Sequence, residues 1–188
     1  MIRVGLVGED PNDTLSLKNL LEKKYSGRIL FLPLVERIRG FQLDNKKTKK
    51  ALPIEFKSKK CNFIIYIRDL DGLPSEKNKI LKRIQWFTSL DSLANNQGIL
   101  LLCIWELEAL LFADIDTINS HYRIKHRFKG NPMFLKEPKE ELMRLTKHTN
   151  NEYKESHSPS LFLKLNEQYL IKRCIFYKEF IEKLEERL

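Results

Sequence analysis

Four short apolar runs punctuate the chain, and the segments between them are mixed. Ile2 to Val7 (IRVGLV), Ile29 to Leu34, Phe63 to Ile67 (FIIYI) and Ile99 to Ile104 read as strands buried on both faces rather than as a half-exposed alternating sheet. Gly8-Glu9-Asp10-Pro11 breaks the first run. Asn12 or Asp13 can then cap a helix whose apolar face is Leu15, Leu17, Leu20 and Leu21, ending near Lys24. After the third run, Pro74 and Ser75 open a helix with Glu76 in its first turn and a stripe of Ile80, Leu81, Ile84 and Phe87 predicted to be buried. In residues 44 to 60, Leu52, Ile54 and Phe56 alternate, which predicts a short edge strand or an extended segment.

The fourth run leads straight into Trp105 to Asp114, a helix or a strand-to-helix junction. Residues 119 to 160 have weak periodicity and read as helical turns and loops. From Leu161 to Leu188 a helical pattern returns, with Leu163, Leu165, Leu170, Ile171, Ile175, Phe176, Phe180, Ile181 and Leu184 on its buried side. A strand–helix–strand opening calls for a parallel sheet with crossover helices. The expected fold class is therefore α/β: a mostly parallel central sheet over residues 1–115 with helices on both faces, followed by a mainly helical extension over 116–188 packed on it.

Composition narrows the picture. A chain of 188 residues with 42% apolar content can bury a core. No apolar run approaches the roughly 20 residues of a spanning helix, and the chain opens on a strand pattern rather than a secretory signal, so a cytoplasmic protein with no membrane partner is expected. Cys61, Cys103 and Cys174 form no CxxC pair, which argues for reduced thiols rather than a zinc site. The net charge of +9, with lysines crowded at Lys46, Lys47, Lys49, Lys50, Lys57, Lys59 and Lys60, fits either a solvated connection or a face that meets phosphates.

The candidate chemistry lies in acids placed directly after strands. In an open parallel sheet, ligands gather outside the carboxyl ends of the strands. Glu9 follows the first run, and Asp69 and Asp71 follow the third. Three carboxylates at one sheet edge repel each other unless a cation joins them, and hard oxygen donors suit Mg²⁺ or Mn²⁺. The competing reading of Asp71-Gly72 is a simple turn. His121, His126, His148 and His157 read as surface residues, Trp86 and Trp105 as core. The mixed stretch Tyr122 to Lys129 could track a nucleic-acid backbone with occasional stacking.

With these pieces in order, VGLVGED (4–10) and FIIYIRDLDG (63–72), the chain resembles a TOPRIM domain. Its third piece, IWELEALLFAD (104–114), is similar to the Glu-bearing segment of small stand-alone TOPRIM proteins and of the nucleases of the overcoming-lysogenization-defect family. The resemblance implies a Rossmann-like TOPRIM fold and Mg²⁺- or Mn²⁺-dependent cleavage of nucleic acid, DNA or RNA. It implies Glu9, Asp69, Asp71 and Glu108 as catalytic residues. The metal would be held among Glu9, Asp69, Asp71 and Glu108, with Glu106 as a competitor and Asp114 as a helper. Arg68, Lys154 and Lys164 are the residues to watch for nucleic-acid contact. The nuclease resemblance also implies an ATPase partner and, by analogy, antiviral defence against phage.

The opening also resembles a response-regulator receiver, with Asp69 or Asp71 as phosphoacceptor. Against that, the second acidic cluster comes late, no Lys-Pro dipeptide occurs, and Glu106 and Glu108 go unexplained. A non-catalytic nucleic-acid-binding module is the remaining alternative.

Overall fold

All four apolar runs are strands of one parallel sheet. The structure, a computed structural model, describes residues 1–36, 43 and 45–188. Strands β1 (Ile2–Val7), β2 (Ile29–Pro33), β3 (Phe63–Asp69) and β4 (Ile99–Cys103) lie in the order β2-β1-β3-β4. β1 pairs with β3 in the register Val4↔Phe63 to Val7↔Tyr66, and β3 with β4 from Ile65↔Ile99 to Asp69↔Cys103. The central strand β3 is buried from Phe63 through Arg68, the one buried charge along it being Arg68 near its carboxyl end. At Gly98, just before β4, a side chain could not fit, because a Cβ there would sit 2.5 Å from the Asp91 carboxylate and 2.7 Å from the Tyr66 ring.

Alternation along the strands feeds two layers. Val4, Leu6, Phe63, Ile65, Ile67, Ile99 and Leu101 face one side, against α1 (Pro11–Tyr25) and the chain beyond β4. Val7, Ile64 and Tyr66 face the other, against Leu52 of α2 (Lys46–Ser58) and Trp86 and Leu90 of α3 (Lys77–Asp91). After β4 the chain forms a 3-10 segment (Leu107–Asp114), then α4 (Ile115–Tyr122), α5 (Pro138–Thr146), α6 (Ser158–Phe162), α7 (Glu167–Arg173) and α8 (Ile175–Glu185). Leu142, Leu161, Phe162, Leu170, Tyr177, Phe180 and Leu184 join the same apolar cluster as β1, β3 and α1, so residues 116–188 share a core with the sheet. Among the described residues no helix is long and apolar enough to cross a membrane.

Local departures from the sequence reading have physical reasons. Asp10, rather than Asn12 or Asp13, caps α1. Its carboxylate accepts from the Asn12 N–H (2.8 Å), while Asp13 accepts from the Asp10 N–H (3.1 Å), a reciprocal capping box with Pro11 in the first turn. The expected extended segment at Leu52, Ile54 and Phe56 is helix α2: Asn45 caps it, accepting from the Lys47 N–H at 3.1 Å, and Leu52 is buried while Ile54 is 67% exposed. Asp44, at the start of that segment, lies outside the described residues.

The stripe expected to be buried on α3 is only half buried. Leu81 is 55% and Ile84 43% exposed, while Ile80 and Phe87 are partly buried. Phe87 meets the Tyr66 ring, with centroids 5.3 Å apart, beside the buried Trp86 and Leu90. The C-terminal pattern is three helices rather than one. Leu163 and Ile175 fall at the breaks and are exposed, and Asn166 starts α7 by accepting from the Gln168 N–H (3.1 Å).

Phe162 is fully buried between the sheet side and the C-terminal helices. Phe162→Ala should lower unfolding stability by about 3–5 kcal/mol through lost burial and a residual cavity. A loss below about 1 kcal/mol in urea unfolding would show that the C-terminal helices are not part of the cooperative core.

Candidate metal centre

The order β2-β1-β3-β4 puts a topological switch point between β1 and β3, where crossovers leave in opposite directions and open a crevice at the carboxyl ends. A cleft of about 220 Å³ lies there, lined by Glu9, Asp10, Asn12, Asp13, Asp69, Glu108, Lys139 and Glu155. Each acid arrives by a different route. Glu9 leaves β1, Asp13 sits in the first turn of α1, Asp69 ends β3, and Glu108 begins the 3-10 segment after β4.

Glu9 is held at the cleft by Arg68, whose Nε lies 2.7 Å from Glu9 Oε1, and by the Asp69 N–H, which donates to the same oxygen at 3.3 Å. The Arg68 guanidinium is itself buried and stacks over the Trp86 ring, 4.8 Å from its centroid. Glu108 is buried and accepts from the Tyr153 hydroxyl (2.8 Å). Lys139 reaches in from α5 and pairs with Glu155 at 2.9 Å.

Burial and mutual repulsion govern the protonation of this group. Loss of hydration pushes Asp69 well above the usual carboxylate range, and Asp13, Glu108 and Glu9 push it further. Asp13 is raised well above it for the same reasons, burial first and Glu108 next. Burial raises Glu9 against the opposing pull of Arg68, and raises Glu108 against Lys139 and Tyr153. Crowded carboxylates that hold protons too tightly are the electrostatic signature of a place where a cation would be favourable. Among the described residues, no three Asp, Glu, His or Cys side chains are already drawn in closely enough to hold a metal ion as they stand.

The sequence-derived residues divide. Glu9, Asp69 and Glu108 share the cleft. Asp71 lies outside its lining: it adopts a left-handed φ of 54°, is 61% exposed at its side chain, and pairs with Arg83 at 2.7 Å. The strand ends at Asp69, and the left-handed backbone at Asp71 breaks the pleat that would otherwise have put residues two apart on one face. Glu106 also stays outside. It accepts from the Lys139 N–H (3.1 Å), and burial raises its pKa to about 6. Asp114 caps α4 through Thr117 and accepts from the Asn166 N–H (2.9 Å), away from the cleft.

Arg68 reaches the site through Glu9 rather than as a surface cation. Lys154 and Lys164 do not line the cleft, and Lys164 lies 3.1 Å from His121 Nδ1. From sequence, Asp13 is expected only as a cap, and Lys139, Tyr153 and Glu155 do not stand out. The four-residue step from Glu9 to Asp13 across a helix start was the available signal for Asp13. No local pattern marks the other three.

Because Glu9, Asp13, Asp69, Glu106 and Glu108 all hold protons more tightly folded than unfolded, the folded state gains as pH falls toward the unfolded values. It loses that contribution as pH rises through the raised ones. In EDTA, these acids should make the thermal midpoint climb as pH falls from neutral toward about 6, the raised value of Glu106. His121 and His157, whose pKa values burial lowers, pull the opposite way. Asp69→Asn should raise the midpoint at neutral pH and reduce the acids' share of the climb. A pH profile of Asp69→Asn that superimposes on the parent's would contradict the crowded-carboxylate description.

Comparison of the chain with protein-family models, with curated proteins and with solved structures returns no match, so a functional reading rests on the geometry of this cleft.

Proposed function

We propose that the protein is a Mg²⁺- or Mn²⁺-dependent nuclease of TOPRIM type. The observation that carries this reading is the meeting of four carboxylates, Glu9, Asp13, Asp69 and Glu108, in one small cleft at the β1/β3 switch point. Such a set suits a hard divalent cation, with Asp13, Asp69 and Glu108 as its holders and Glu9 as a ligand or a proton acceptor beside it. When bound, the cation would polarise a phosphate oxygen and make a bound water easier to deprotonate. Lys139, the basic residue in the lining, is placed to offset charge on the same phosphate.

The surroundings support a polyanionic substrate. Lys46, Lys47, Lys49, Lys50 and Lys57 are exposed on α2 and make no ion pair among the described residues. Some lysines elsewhere are paired, as in Lys18–Glu22, Lys24–Glu185 and Lys178–Glu182, whereas the α2 lysines stand close together in sequence. Uncompensated charge of this kind favours a phosphate backbone. The proposal includes an ATPase partner and a setting in phage defence, on the strength of the sequence resemblance alone.

One observation favours a second reading. Asp69 ends the third strand beside acids that follow the first, the arrangement that a phosphoacceptor receiver uses. The burial of Glu108 in the same cleft weighs toward metal catalysis instead.

Incubation of the protein with single- and double-stranded DNA and RNA in Mn²⁺ should give cleavage that EDTA stops. Asp69→Asn and Asp13→Asn should lower the rate by about 100-fold or more without loss of the folded state. Phosphorylation of Asp69 by a small phosphodonor, with no cleavage of any substrate, would replace the nuclease reading with the receiver. Mutating Lys47, Lys49 and Lys50 to Gln should weaken nucleic-acid binding and make it less steeply salt-dependent. On duplex DNA the log–log slope should shrink by about 0.9 for each phosphate that is no longer neutralised.

A further inference from the structure

We propose that the free edge of β4 is a dimer interface, at which two copies of the chain pair β4 against β4 antiparallel about a twofold axis and continue the sheet. In a strand, the N–H and C=O of one residue point to the same side and alternate along the chain. The Cys103 carbonyl accepts from the Leu70 N–H (2.8 Å) and so faces β3, which turns the backbone groups of Leu100 and Leu102 away from the sheet. Among the described residues nothing outside the sheet bonds to them.

The two edges of the sheet differ. β2 ends in Pro33, whose carbonyl is taken by Lys59 Nζ (2.5 Å), and both features discourage strand addition. β4 reads ILLLC and carries no charge, no proline and no bulge. A groove of about 450 Å³ runs along it between α3 and α8, with Ile84, Phe87, Leu100, Leu102 and Phe176 in its lining. It lies where a fifth strand would continue the order β2-β1-β3-β4, and Ile84 of α3, 43% exposed, opens into it.

The occupant follows from symmetry and charge. A twofold axis at Leu101 sets Leu100 of one copy opposite Leu102 of the other, so that the outward groups of both satisfy each other. Along the rim, α8 and the residues after it present Glu179, Lys183, Glu186 and Arg187, acids and bases in equal number on a protein of net charge +9. A strongly charged partner gains nothing from such a rim. A second copy does, because the twofold turns Glu179 toward Lys183 and Arg187 of its mate.

Light scattering and sedimentation of the full chain, from micromolar to near-millimolar concentration, should show a monomer–dimer equilibrium. Leu100→Pro removes an outward N–H that the chain's own sheet does not use and should raise the dimer dissociation constant at least about tenfold. Because that change also removes a half-buried side chain, the exposed Glu179→Lys provides a second probe. It should weaken the dimer similarly, and Glu179→Lys/Lys183→Glu should recover it, with circular dichroism unchanged throughout. A monomer at every concentration, a dimer indifferent to both variants, or a double variant that fails to recover would overturn the proposal.

Discussion

Parallel pairing of β1 with β3 is the constraint on which the remaining geometry depends. The register Val7↔Tyr66 brings the residues after one strand beside the last residues of the other, so Glu9 and the Asp69 N–H meet across a sequence separation of 60 residues. Because the crossovers diverge from this pair, the crevice between them stays open while both sheet faces are covered. The 3-10 segment after β4 then closes one wall of the cleft and brings Glu108, and α1 brings Asp13.

Placing four carboxylates in so small a space costs stability unless the surroundings answer it. The answer is partial. Arg68, buried beneath Trp86, holds Glu9; Tyr153 donates to Glu108; and Lys139, paired with Glu155, adds a positive charge at the rim. These contacts lower the repulsion without removing it, since burial still raises all four acids. The residual repulsion is what the proposed cation would offset.

The chain beyond residue 115 takes part in the site as well as in the core. Its buried side chains complete the apolar layer over β1, β3 and α1, while Lys139, Tyr153 and Glu155 reach the cleft from α5 and the segment after it. Support and chemistry thus come from the same elements. The opposite flank is built differently: α2 and α3 cover the second face thinly, leaving the α2 lysines in solvent and the edge of β4 open.

The sequence by itself determined the strands, their parallel arrangement and three of the four cleft acids whose protons burial holds. Continuous apolar runs ending in acids are local signals, and in a parallel sheet every such end falls on one edge. It did not determine which face α3 turns to the sheet, because a stripe at helical spacing looks the same whether it meets a core or a partner. Alternation at Leu52, Ile54 and Phe56 likewise could not tell an extended segment from a lysine-rich helix capped by Asn45. The tertiary structure alone decided that Asp69 turns into the cleft while Asp71 turns out to Arg83, and that Asp114 serves as a cap. It alone brought Lys139 and Tyr153 to acids 30 or more residues earlier in the chain. Those choices are made by packing between distant segments, and the order of residues along the chain carries no local trace of them.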